Sequence, residues 1–260
     1  MGSKVNRVGE ESYNNFGSKM IIVGYRTNKD IDVYFPKYNW TAKNIQYGNF
    51  KKGKIKCPYE RRYYNIGYLG EGKYKVKENG KYTKCYVSWQ NMLIRCYDSK
   101  YHEKEPTYID CEVDKKWLNL QDFGKWFNEN YYEIENEKMC LDKDILNKGN
   151  KIYSPDNCVF VPNNINMLFV KHDKARGDYP IGVYYDKKSK KFKAKCSIYD
   201  FKENKNKNKH LGTYGTPKQA FKIYKEFKES NIKEVADFYK EQIPEKLYRA
   251  LYNYEVEIND

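Results

Sequence analysis

The chain has 260 residues, and 49 Lys+Arg against 35 Asp+Glu give a formal net charge of +14. Mean hydropathy is −1.01, and no run approaches the roughly 18 apolar residues of a membrane span. Residues 1–17 lack the apolar centre of a secretory leader, so a cytoplasmic protein with no membrane partner is expected. With 17% aromatic residues, among them 28 Tyr, the chain carries too much ring surface to stay disordered throughout. The seven Cys form no C-x-x-C pair, a pattern of scattered reduced thiols rather than of a disulfide framework. Three His (His102, His172, His210) exclude a His-rich metal site.

Residues 1–58 read as a small β module. An apolar run at 20–25 and the alternating Ile31-Asp32-Val33-Tyr34-Phe35 predict two strands around a turn at 27–30. Lys51-Lys52-Gly53-Lys54 then adds a basic edge.

Residues 59–170 form the expected middle domain. Strand-like pieces at 63–69, 74–77 and 84–87 are separated by glycines. Trp89, Met92, Leu93 and Cys96 share one helical face. A second helix is predicted over 120–130, with Phe123, Trp126 and Phe127 inward. The run Cys140-Leu141-Asp142-Lys143-Asp144-Ile145-Leu146 is followed by the turn-rich Asn147-Lys148-Gly149-Asn150. A strand over 159–161 then leads into a short helix at Pro162.

Residues 171–260 are the clearest. A strand at 182–186 and a turn at 187–190 precede a strand over 191–200. On it Phe192, Ala194, Cys196 and Ile198 point one way, and Lys191, Lys193, Lys195, Ser197 and Tyr199 the other. A polar loop at 203–209 leads to a third strand over 210–214. Thr216-Pro217 starts a helix, and Ala220, Phe221, Tyr224 and Phe227 make its inward stripe. Residues 232–239 and 245–253 read as two further helices. The fold class is therefore α+β and multi-domain: the β module, the middle domain, and a three-stranded sheet packed on a helix with additional helices.

Charge is concentrated. Residues 171–212 hold 13 Lys+Arg and 5 Asp+Glu, a difference of +8 out of +14. A strand with one basic face carries a local positive potential that suits phosphates and can lie in a DNA major groove. The expected partner is double-stranded DNA.

On these residues the third segment resembles the Apetala-type (ethylene-response-factor) DNA-binding domain. The carriers are Gly182-Val183-Tyr184-Tyr185-Asp186, the Lys-rich second strand, Leu211-Gly212-Thr213-Tyr214 and Thr216-Pro217-x-x-Ala220. The resemblance implies that the sheet enters the groove, with Tyr185, Lys187, Lys191, Lys193 and Lys195 as contacts. The family's arginines and tryptophan are Lys or Tyr here, and Lys lacks the planar fork that reads guanine.

The middle segment is similar to divergent H-N-H endonucleases of phages. The matching run is Trp89-x-x-Met92-Leu93-x-Arg95-Cys96-Tyr97, then Trp117, Leu141-Asp142-Lys143-Asp144 and Tyr153-Ser154-Pro155-x-Asn157-Cys158-Val159-Phe160-Val161. The whole chain looks like a phage homing endonuclease acting in the cytoplasm of an infected bacterial host. The resemblance implies a ββα-metal finger in which one divalent ion sits on the scissile phosphate and a base activates water.

By position, Asp142 and Asp144 would hold Mg²⁺ or Mn²⁺, and Arg95 would contact DNA. Lys143 stands where the family's His stands, Asn150 or Asn157 takes the Asn place, and His102 is a base supplied from elsewhere. A structural zinc on Cys96, His102, Cys111 and Cys158 is not expected, because paired spacing is missing. Two readings follow: a metal-dependent nuclease that nicks or cuts DNA, or an inactive relative that binds DNA as a regulator or, with a protein partner, as an anti-defence factor.

Overall fold

The computed structural model describes residues 6–170, 179–200 and 205–258. Lys171, Lys174, Arg176 and Lys202, counted above in the basic segment, lie outside them. The fold class is α+β, and the chain divides into two compact units, residues 1–129 and 130–260. That division falls inside the expected 59–170 domain rather than at either of its ends. No helix among the described residues is long and apolar enough to cross a membrane.

The first unit opens with an antiparallel meander of β1 (Glu11–Tyr13), β2 (Lys19–Thr27), β3 (Asp30–Phe35) and β4 (Trp40–Ile45). The alternation seen in sequence is the reason for its core: Met20 and Ile22 on β2 and Ile31, Val33 and Phe35 on β3 point the same way and are buried. The helix α1 (Tyr47–Lys51) adds Phe50 to this core. Lys51 is not a free basic edge, because its ammonium lies 3.3 Å from Glu10.

The hairpin β5 (Lys77–Glu78) and β6 (Lys81–Tyr82) turns on Asn79 and Gly80, both with positive φ, as a two-residue turn requires. Residues 84–87, expected as a strand, instead begin α2 (Lys84–Tyr97), because the Thr83 hydroxyl accepts the Tyr86 amide and caps it. The Trp89 indole donates to the Trp117 carbonyl at 2.7 Å. After α3 (Ser99–Lys104) and β7 (Glu112–Val113) comes α4 (Leu120–Asn130), whose Phe123 and Trp126 pack with Trp117.

In the second unit β8 (Met139–Asp142) precedes β9 (Ile152–Tyr153) and pairs antiparallel with β10 (Val159–Pro162). The short α5 (Asn163–Asn166) follows. The strands β11 (Val183–Asp186), β12 (Lys191–Asp200) and β13 (Lys205–Tyr214) form the three-stranded antiparallel sheet. The third strand therefore starts at 205 and not at 210, inside the expected polar loop.

The helix α6 (Pro217–Tyr239) opens with a full capping box between Thr216 and Gln219. It runs unbroken to Tyr239, so the further helix expected over 232–239 is its continuation, with Asn231 on the buried face. It joins two cores: Ala220 and Tyr224 pack on the sheet, whereas Ile232, Val235, Ala236 and Tyr239 pack with Val159, Val161 and Ile165. The last helix, α7 (Glu245–Tyr252), adds Leu247 and Leu251 to the second core.

Candidate nucleic-acid interface and the loop after β8

Strand register sorts the lysines. Tyr184 pairs with Lys193 and Asp186 with Lys191, whereas Val183 pairs with Ala194 and Tyr185 with Phe192. Partners across a pair share a face. Lys191, Lys193, Lys195, Tyr184 and Asp186 therefore occupy the outer face, and Val183, Phe192, Ala194 and Cys196 turn toward α6.

Tyr185, expected as a DNA contact, is on the inner side. Its ring packs 5.2 Å from Phe192 and 6.4 Å from Tyr179. The outward tyrosine is Tyr184, 41% exposed. Tyr185, at 38% exposed, is nearly as accessible, so register adds Tyr184 as an outer-face candidate beside it and leaves Tyr185 at the edge of the inner side.

The outer face is less charged than the segment's +8. Lys207 and Lys209 pair with Ile198 and Cys196, so they fall on the helix side, and the Lys209 ammonium lies 4.7 Å above the Phe227 ring. Lys193 is engaged as well: its Nζ lies 2.8 Å from an Asp186 carboxylate oxygen. The Lys193 and Ser189 hydrogen bonds hold the Asp186 carboxyl down at about 2. Lys191 and Lys195 are exposed, and so are Lys187, Lys188 and Lys190 on the adjoining turn. Lys191 and Lys195 are four residues apart, about 13 Å at strand rise, comparable to a major-groove width of about 12 Å.

The loop after β8 is held by its own side chains. One Asp142 oxygen, Oδ1, accepts the amides of Asp144 at 2.9 Å and Ile145 at 2.7 Å. Lys143 is buried, and its ammonium lies 3.0 Å from the Asp144 carboxylate. Asn150 donates to the carbonyls of Lys143 and Ile152. Asn157 donates to the Asn150 side-chain oxygen and accepts from Asn147. Burial, and then the nearby Asp144 charge, raise the Asp142 carboxyl to about 6, against the opposing effect of its two amide donors and Lys143. Burial also pushes the neighbouring Cys158 thiol up.

Asp142, Lys143, Asp144, Asn150 and Asn157 are thus brought together, but their contacts differ from those expected. Asn150 and Asn157 tie one loop segment to another, and Lys143 is an ion-paired cation, not an open base. The two carboxylates of the expected Mg²⁺ or Mn²⁺ site are each partly committed to other partners. One Asp142 oxygen is taken up by two amides, the Lys143 ammonium provides the local positive charge, and no group of three or more His, Cys, Asp or Glu suited to a metal occurs among the described residues.

His102 belongs to the first unit, on α3, where its Nε2 is bonded to the Arg95 carbonyl at 2.8 Å. The Arg95 guanidinium lies 5.8 Å above the Tyr108 ring in the same unit. All seven cysteines are free thiols, six of them buried. No family model, curated protein or solved structure matches the chain.

Proposed function

We propose that this protein binds double-stranded DNA through the outer face of its C-terminal sheet, on a ββα-like scaffold that does not cut. The observation that carries the reading is the set of lysines at alternate positions of β12, continuous with the lysine turn before it. In this reading Lys191 and Lys195 neutralise phosphates flanking a groove. Tyr184, across from Lys193 on β11, joins the same face, and the turn lysines extend the contact along one strand of the duplex. Recognition of bases is modest, because lysine meets phosphate as a point charge and lacks the bidentate geometry of arginine.

The saturated loop after β8 supports a binding role over a catalytic one. Supercoiled plasmid incubated with the protein, with and without Mg²⁺ or Mn²⁺, separates the outcomes. The expected result is plasmid that is retarded on a gel and stays intact under both conditions. Metal-dependent nicks would restore the nuclease reading. Unshifted plasmid would replace DNA with a protein partner.

A further inference from the structure

Lys228 stands in the middle of the buried face of α6, between the stretch that packs on the sheet and the stretch that packs on β10. It is 8% exposed, and it makes no ion pair or hydrogen bond with the described residues. One helical turn on, the equally buried Asn231 has a side-chain oxygen with no partner. A buried ammonium without an anion is costly, and such groups are ordinarily paired or replaced.

Lys228 also lines a cavity of about 310 Å³ in the second unit. The cavity lies beside β12 where β11 has ended, since the pairing of β11 stops at Val183 and Ala194. Lys195, Ser197 and Tyr199 contribute polar walls, and Met167, Leu168 and Ile181 contribute apolar ones. Its volume is at the lower end of small-ligand pockets, which combine apolar walls with a few convergent polar groups. The carboxylate of Glu137 accepts from the lining Asn164 and from Tyr239 and is thereby engaged.

We propose that this cavity is a binding site for a small organic oxyanion, a phosphate monoester or carboxylate with an aromatic or apolar body, whose charge is taken by Lys228 with Lys195 at the rim. Two ammonium groups, with Ser197 and Tyr199 also in the lining, supply donors that match an oxyanion's acceptors. The apolar wall accounts for an organic body rather than a bare ion. Burial lowers the Lys228 amine below its ordinary value, and an arriving anion would raise it again. The site shares Lys195 with the proposed DNA face, and its test below uses no DNA.

The test is calorimetric titration of the full chain with phenyl phosphate and with benzoate, using phenol as the uncharged control. The wild-type protein is expected to bind at least one of the two anions and not phenol. Lys228→Met, which keeps the length and removes the charge, is expected to weaken that binding about tenfold or more. Ser197→Ala, at an exposed strand position, supplies a second variant with a smaller loss should Lys228→Met fail to fold. Failure of both anions to bind, binding of phenol equal to phenyl phosphate, or unchanged affinity in both variants would overturn the proposal.

Discussion

The loop after β8 and the middle of α6 both bury a lysine, and they treat it in opposite ways. Lys143 lies against Asp144, in a loop where Asp142, Asn150 and Asn157 occupy one another's hydrogen-bonding groups. Lys228 has no such companion and borders a cavity. The first arrangement is complete by itself and reads as structure. The second is incomplete and reads as a place for something else. The family-like motif thus falls on the structural site, whereas an unremarked helical lysine falls on the candidate ligand site.

Substitution separates the two lysines most sharply. Lys143→Met leaves Asp142 and Asp144 as neighbouring carboxylates without their cation, and is expected to cost about 2–3 kcal/mol in urea unfolding at pH 7. A cost near zero would mean that the loop does not depend on that pair. Lys228→Met should move stability the other way, up by about 1–2 kcal/mol, since it replaces an uncompensated buried charge with a similar apolar volume. A loss instead would show that Lys228 has a partner in the folded protein.

Asp142 gives the pH test. Its folded value of about 6 lies above the ordinary 3.8, so between these pH values the folded state binds more protons than the unfolded state. Stability therefore falls as pH rises from about 4 to about 6, and is level above that range as far as this group is concerned. Asp142→Asn keeps an oxygen for the two amides and removes the titration. It should flatten this part of the profile and add on the order of 1–2 kcal/mol at pH 7. An unchanged profile would show that Asp142 ionises freely.

The smallest effects distinguish the two tyrosines of β11. Tyr185→Ala removes a ring packed on Phe192 and should cost about 1 kcal/mol of stability while leaving DNA affinity in place. Tyr184→Ala should leave stability within about 0.5 kcal/mol and weaken DNA binding a few-fold, read by fluorescence anisotropy on a short duplex. The reverse pattern would put the inner face of the sheet, not the outer, against DNA.

Local chemistry made much of the second unit legible. The alternation of Phe192, Ala194, Cys196 and Ile198 was sufficient to define β12, and Thr216-Pro217 to define the start of α6. Differences arise where local cues are outweighed: Thr83 caps a helix over what reads as a strand, and the helix from Pro217 runs on through 232–239, which reads as a separate helix.

For the site, the charge count along 171–212 could not show which face each lysine joins, because that depends on pairing across strands. Register places Lys207 and Lys209 on the helix side and gives Lys193 its Asp186 partner. Lys228 looks in sequence like one more solvated lysine between Phe227 and Glu229. Only the packing of α6 against two cores at once reveals its burial.

The most direct test of DNA binding by the outer face is the salt dependence of duplex affinity for the wild-type protein and for Lys191→Ala/Lys193→Ala/Lys195→Ala. The account predicts weaker binding by the variant and a plot of log K against log salt shallower by roughly 2, since Lys193 is already committed to Asp186 and each freed phosphate contact contributes about 0.9. An unchanged affinity and slope in a folded variant would remove the sheet from the interface and contradict the account.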